Sequence, residues 1–239
     1  RQATRDSLHD LCAKSLSEII QPTVGSMTLV DLAERLRKRL QSPLPGAEAH
    51  RLMYPGFRGE KPGGIPKDAR VAAVLELLYP LSNGQVGLLF FRRTSHDPRD
   101  AHAGQIGFPG GSVEAQDENL ADTALREAWE EVAIPRASVD LLGGLSPLYI
   151  PVSNFMVHPF VGIAPERPDF KGQDAEVDEI LELPLADFLR PNARTTKSMT
   201  LSSGLRLPEV PYWDVQGETI WGATSMLVAE LVTIIQEMQ

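Results

Sequence analysis

The stretch that decides the reading runs Phe108-Pro109-Gly110-Gly111-Ser112-Val113-Glu114-Ala115-Gln116-Asp117-Glu118-Asn119 and goes on Leu120-Ala121-Asp122-Thr123-Ala124-Leu125-Arg126-Glu127-Ala128-Trp129-Glu130-Glu131-Val132. Its first half is rich in turn formers. Its second half, dense in Ala, Leu and Glu, predicts a helix over 119–132. On such a helix Glu127 lies one turn from both Glu130 and Glu131, so three carboxylates crowd one face. Like charges in that spacing destabilise an isolated helix by about a few tenths of a kcal/mol per pair. The arrangement invites a counter-ion, and a hard divalent cation with oxygen ligands is the natural one. The Gly110-Gly111 pair upstream lets backbone approach a metal or phosphate closely. Arg126 has the reach to pin the preceding loop through a planar, bidentate carboxylate contact. The plainer alternative is a solvated acidic helix face.

Outward from this segment, Val71–Tyr79 and Val86–Phe91 are short apolar runs bounded by Pro80, Asn83-Gly84 and charged residues, which predicts two buried strands joined by a turn. Three further strands are expected at 139–149, 155–164 and 177–183. A last helix is expected over 224–238, with Leu227, Val228, Leu231, Ile234 and Ile235 as its apolar stripe. Upstream, residues 5–20 carry Leu8, Leu11, Cys12, Leu16, Ile19 and Ile20 at helical spacing. A second amphipathic stretch places Leu29, Leu32, Ala33, Leu36 and Leu40 on one face. Residues 43–67 are so dense in Pro and Gly that an irregular connection is expected. The division is therefore a helical extension over 1–45 and a main domain over 46–239. Strands with interspersed helices and no strict βαβ alternation point to an α+β fold, a mixed sheet between helices.

The chain has 239 residues, long enough to bury a sizeable core without a disulfide or metal staple. With 42% hydrophobic and 23% charged residues it is ordinary for a globular protein, which argues against disorder as its general state. Its net charge of −9 argues against a general nucleic-acid binder. A small anionic substrate is still allowed, because a bound cation inverts the local electrostatics. One cysteine, Cys12, makes no internal disulfide, and a reducing, cytoplasmic setting is expected. Any leader removed ahead of Arg1 would not be visible. No apolar run approaches the roughly 20 residues of a membrane span, so no membrane partner is expected. The N-terminal amphipathic faces leave a homodimer open.

The segment at 108–134 resembles the Nudix box: Gly, five residues, Glu, seven residues, then Arg-Glu-apolar-x-Glu-Glu-x-Gly-apolar. Glu118, Arg126, Glu127, Glu130, Glu131 and Ile134 fall on its positions. Two departures are visible. Six residues separate Gly111 from Glu118, which leaves Asp117 competing for the early acid, and Ala133 stands where the pattern has its late Gly. The resemblance implies an α/β/α sandwich around a mixed sheet and hydrolysis of a nucleoside diphosphate linked to another group. It implies Mg²⁺ or Mn²⁺ held by Glu127, Glu130 and Glu131, with the Gly111 carbonyl as a further ligand. Arg126 would orient the loop by pairing with Glu118 or Asp117. The general base would be Glu127 or a carboxylate of the later loop, Glu176 or Glu179.

The flanks narrow the branch. Arg93, His102-Ala103-Gly104-Gln105 and Phe108-Pro109-Gly110-Gly111 are similar to the motif upstream of the box in coenzyme A pyrophosphatases, and the likeness extends over about 27–239. It implies CoA or an acyl-CoA as substrate, with Arg93, Arg99, His102, Gly104, Gln105, Phe108 and Gly110 in the substrate site. One spacing departs: four residues separate Thr94 from Arg99 and four more lead to Gly104, about two in excess of the branch pattern. Two alternatives stand beside this reading. One is hydrolysis of another diphosphate, such as ADP-ribose or a dinucleotide. The other is a non-catalytic module that senses a nucleotide.

Overall fold

A computed structural model of the chain describes residues 23–24, 27–55, 64–94, 104–201 and 204–239. In chain order the elements are β1 (Thr23–Val24), β2 (Met27–Thr28), α1 (Leu29–Arg39), α2 (Ala47–Arg51), β3 (Arg70–Pro80), β4 (Val86–Arg93), β5 (Ile106–Gly107) and β6 (Gly110–Ser112). There follow α3 (Leu120–Val132), β7 (Asp140–Gly144), β8 (Leu148–Ile150), β9 (Phe155–Ile163), β10 (Val177–Pro184) and α4 (Leu185–Phe188). The last are β11 (Arg194–Thr200), β12 (Arg206–Val215), β13 (Glu218–Trp221) and α5 (Gly222–Glu237).

The main sheet has the order β10-β4-β3-β9-β7, with β5, β6 and β8 pairing beside β4, β3 and β9. It is mixed, because β3 runs parallel to β9 while its pairs with β4 and β6 are antiparallel. The β3–β4 hairpin pairs only at its closed end, from Leu78↔Leu88 to Pro80↔Val86. Beyond it the two strands part: β4 takes β5, and β3 takes β6 across Ala72↔Ser112 to Val74↔Gly110. The connection through Phe108 and Pro109 fills the split, where Leu75 N–H donates to the Pro109 carbonyl at 2.8 Å. This split brings the Gly110-Gly111 backbone under the carboxylate helix.

Both faces of the sheet are covered, which is why its central strands read as unbroken apolar runs. On one face Ala73, Leu75, Leu77, Leu89 and Phe91 pack with Ala124, Leu125, Ala128 and Val132 of α3. On the other, Leu78, Leu88, Phe90, Val157 and Val161 form one cluster with Leu32 and Leu36 of α1 and with Leu227, Leu231 and Ile234 of α5. The result is the α/β/α layering expected of an α+β fold. The described part of the N-terminal extension is held on this core, with Arg39 bonding Glu237 at 2.7 Å and Arg35 the Met238 carbonyl at 2.9 Å.

Several expectations need correcting. Residues 43–67 are not wholly irregular: α2 forms there, and its His50 is buried against Glu230 of α5. The expected strand 139–149 is two strands, β7 and β8, interrupted before Leu148. The antiparallel sheet β11-β12-β13 was not expected at all. The expected helix over 5–20, with Cys12, lies outside the described residues, as do Arg99 and His102.

Candidate functional site

The carboxylate helix α3 starts at Asn119, whose side chain accepts the Asp122 N–H at 3.0 Å, satisfying one of the donors a helix start leaves open. It ends at Ala133 in the left-handed conformation, φ 58°, where the family pattern has Gly. Ala124 and Ala128 let it lie close on the sheet, so its carboxylates sit at graded depth. Glu131 is 2% exposed, the Glu127 side chain is largely buried, and the Glu130 side chain is 49% exposed.

Arg126 organises the rim. Its Nε and Nη2 donate to the two carboxylate oxygens of Asp117 at 2.8 and 3.1 Å, and Nη2 also donates to the Ser112 carbonyl at 2.9 Å. Nη1 donates to Glu127 at 3.0 Å and to Glu130 at 2.9 Å. Asp117 also accepts the Thr123 hydroxyl at 2.8 Å and the Glu114 N–H at 2.9 Å. These contacts, the Arg126 bonds first, hold its carboxyl far below the usual carboxylate range. Among the described residues Glu118 is not a partner of Arg126: its backbone N–H donates to Asp122, and the residue is exposed. The extra residue after Gly111 is thus taken up between Asp117 and the helix, and Asp117 is separated from Gly111 by the five residues of the family pattern.

Gly110 donates its N–H to Glu131 Oε2 at 2.8 Å. A Cβ on Gly111 would lie 2.5–2.7 Å from the Glu127 carboxylate, so only glycine leaves room for that carboxylate at this position. Burial pushes the Glu131 carboxyl up to about 8, helped by Glu127 and Glu176 and opposed by the Gly110 N–H and Arg93. Burial raises Glu127 as well, against the pull of Arg126. Buried carboxyls that are costly to ionise and stand around a glycine wall suit a divalent cation, which would supply the missing positive charge. Among the described residues no three acidic or His side chains close into a cage.

The remaining expected residues fall into three groups. Arg93 shares a face of β4 with Leu89 and Phe91, the face under α3, and its Nε is buried without a hydrogen-bond partner among the described residues. Its backbone pairs with Gln105 at 3.0 Å and with Gly104 at 3.1 Å, so those two residues lie at the strand's end. Glu176 belongs to a turn joined by backbone bonds to the C-terminal end of α3, since Gln173 N–H donates to the Glu131 carbonyl at 2.9 Å and Glu176 N–H to the Gln173 carbonyl at 3.0 Å. Two expectations fail. Glu179 stands opposite Arg92 and pairs with it at 3.2 Å, and strand alternation puts that pair on the face turned away from α3. Phe108 is buried and stacks on Phe90 with ring centroids 4.6 Å apart, a core residue rather than a substrate contact.

The reading of the sequence missed Thr94, which bonds the Glu176 segment twice, and Thr123, which orients Asp117. Thr94 adjoins Arg93 in the sequence, but its contacts arise only when β10 pairs with β4.

Comparison with known proteins bears on this arrangement. The NUDIX domain family model matches residues 71–201. A protein of Yersinia enterocolitica described as the uncharacterized Nudix hydrolase NudL is 37% identical over 171 residues, covering 72% of this chain and 84% of that protein. A protein of Yersinia pestis of the same description is 39% identical over 145 residues, covering 60% of this chain and 70% of its own. A crystal structure of a Nudix hydrolase from M. smegmatis, RenU, aligns over 71% of this chain and 87% of its own at 13% identity, with a TM-score of 0.46.

Proposed function

The chain belongs to the Nudix family, hydrolases of pyrophosphate bonds, and from that premise we propose that it cleaves the diphosphate of CoA or an acyl-CoA with water, giving 3′,5′-ADP and (acyl-)4′-phosphopantetheine. The observation that carries the reading is Arg93. Its guanidinium has a buried Nε donor without a partner among the described residues, on the sheet face beneath the carboxylate helix and at the start of the segment that resembles the CoA branch. A half-buried guanidinium with an open Nε donor is suited to a phosphate oxygen, which Arg binds with matched planar geometry.

Nudix hydrolases generally use divalent metal ions, and here Glu127, Glu130 and Glu131 would hold Mg²⁺ or Mn²⁺, with the Gly111 carbonyl as a further donor. When bound, the ion neutralises charge on the diphosphate oxygens and lowers the pKa of a coordinated water. The chain's own residues set the stage. Arg126 holds Glu127 and Glu130 toward the Asp117 loop, so the rim carboxylates are oriented before substrate arrives. Gly110 N–H fixes one oxygen of Glu131. Glu176, carried to the end of α3 by its turn, would accept a proton from the attacking water, with Glu127 as the other candidate. The apolar face of α1 is covered by this chain's own core through Leu29, Leu32 and Leu36, so it offers no surface for a homodimer.

The test is incubation with CoA and Mg²⁺ or Mn²⁺, with products identified by mass spectrometry and Glu131→Gln run alongside. The expected result is both products, with the rate in the variant lower by about a thousandfold. Mutation-sensitive cleavage of ADP-ribose or a dinucleotide, with CoA untouched, would keep the chemistry and discard the substrate. Inactivity on all three, with metal still bound, would point to a nucleotide sensor.

A further inference from the structure

An α-helix leaves its last carbonyls without intrahelical partners. At the end of α3 those of Glu131 and Val132 are taken by the backbone of a later turn: Gln173 N–H donates to Glu131 at 2.9 Å and Lys171 N–H to Val132 at 3.2 Å. The turn is closed on itself, because the Gln173 carbonyl accepts the N–H of Glu176 at 3.0 Å and of Val177 at 2.8 Å. Its other side is fastened by one residue. Thr94 N–H donates to the Glu176 carbonyl at 3.0 Å, and the Thr94 hydroxyl donates to the Ala175 carbonyl at 3.0 Å.

The first of these Thr94 bonds continues the β4–β10 ladder one step past Val177↔Arg93. The second is not a ladder bond. The ladder would end at residue 94 whatever its side chain, and the hydroxyl extends the attachment to the next carbonyl. The two peptide units flanking Glu176 are thereby tied to β4, immediately after Arg93, while Gln173 ties the same turn to the backbone of Glu131. Arg93, Glu131 and Glu176 come from three separate elements, and the Thr94 and Gln173 bonds are the links that set their spacing.

We propose that Thr94 is a positioning residue: its hydroxyl holds Glu176 at the end of the carboxylate helix, so that the acidic group and Arg93 address the same substrate. The proposal rests on Glu176 acting in the hydrolytic site. It assigns a duty to a side chain that touches neither substrate nor metal, so its signature is coupling to Glu176 rather than loss of binding.

The experiment compares Thr94→Val, which keeps the shape and removes the hydroxyl, with Thr94→Ser, which keeps the hydroxyl. Each is made alone and together with Glu176→Gln. Amide hydrogen exchange over residues 173–177 is followed in the metal-free protein, and kcat and KM are measured with CoA and Mn²⁺. Thr94→Val is expected to lose protection at 173–177 and to lower kcat about fivefold with KM little changed, the effect of one neutral hydrogen bond. Thr94→Ser should restore both. In the Glu176→Gln background Thr94→Val should cost nothing further, because residues acting as a unit are non-additive.

Unchanged exchange in Thr94→Val, or a full additional loss on top of Glu176→Gln, overturns the proposal and leaves the hydrolytic reading intact. Full activity of Glu176→Gln alone overturns the role of Glu176, and this proposal with it. If CoA is not cleaved, the substrate assignment falls, and exchange at 173–177 still decides whether Thr94 holds the turn.

Discussion

Two carboxylate clusters lie on opposite faces of the same sheet, and they are built by opposite rules. Under α3, Glu127, Glu130 and Glu131 share one helix, grade from buried to exposed, and are turned toward a guanidinium and a pair of glycines. Under α5, Glu76 of β3 and Glu230 are fully buried, contributed by distant elements. Glu230 is satisfied by three donors: Gly46 N–H at 3.1 Å, Ser146 N–H at 3.1 Å and His50 Nε2 at 3.0 Å. Burial pushes its carboxyl up, but the bonds from His50 and Ser146 outweigh that and hold it below the ordinary value. Glu76 has no hydrogen-bond partner on either oxygen among the described residues, and burial, with Glu230 nearby, drives its carboxyl well above the ordinary value. The first cluster stands at an accessible rim, with the Glu130 side chain about half exposed. The second is closed: Glu230 fastens α2 and the Ser146 turn to α5, and burial makes the Glu76 carboxyl costly to ionise.

The comparison is sharpest when one substitution is made in each cluster. Glu131→Gln should lower the hydrolysis rate by about a thousandfold while leaving the unfolding midpoint in urea near that of the parent. Glu230→Gln should do the reverse. It would lose about 2–3 kcal/mol of stability, because an amide cannot accept all three donors, and keep its rate per folded molecule. Loss of activity without loss of stability in Glu230→Gln would break the distinction.

Next in size is the rim. Asp117→Asn should cost about 2 kcal/mol, since it removes the charge that Arg126 grips and disturbs the bonds from Thr123 and Glu114. Glu118→Gln should change stability by less than about 0.5 kcal/mol. Equal effects in a denaturation series would mean that the two acids share the role.

Glu76 governs a pH dependence. Burial holds its carboxyl well above the ordinary value in the folded chain, while the unfolded group ionises near 4.5, so folding takes up a proton over the range between the two. Stability from this group is complete below about pH 4.5 and falls as pH rises, by about 1.4 kcal/mol per pH unit, until the folded group itself ionises. Urea unfolding from pH 5 to 8 should show a flatter profile in Glu76→Gln than in the parent. An unchanged slope would mean that Glu76 is already ionised when folded. The smallest effect is at the helix end. Ala133→Gly should stabilise by about 1 kcal/mol, because φ 58° costs an alanine and not a glycine, an effect visible as a small rise in the melting midpoint.

The legible parts of this fold are those with local causes. The α3 helix, the β3–β4 pair, β9, β10 and α5 each carry their own periodicity, and the crowding of Glu127, Glu130 and Glu131 follows from helical geometry alone. The sheet β11–β13 was not legible. β11 is polar and almost wholly exposed, and Pro208 and Pro211 within β12 argue against a strand that pairs on both sides. It is Trp213, buried against Phe188 and donating to the Ser225 carbonyl at 3.0 Å, that docks this sheet on the core.

What the sequence determined by itself was the carboxylate helix, the glycine pair before it and the family to which both belong, because those depend on spacings of a few residues along one element. Only the tertiary structure decided that Asp117 and not Glu118 meets Arg126, that Glu179 faces away while Glu176 reaches the end of the helix, and that Phe108 belongs to the core. Each of those outcomes depends on strand register and on which face of the sheet a side chain takes, and these are set by pairing between segments far apart in the chain.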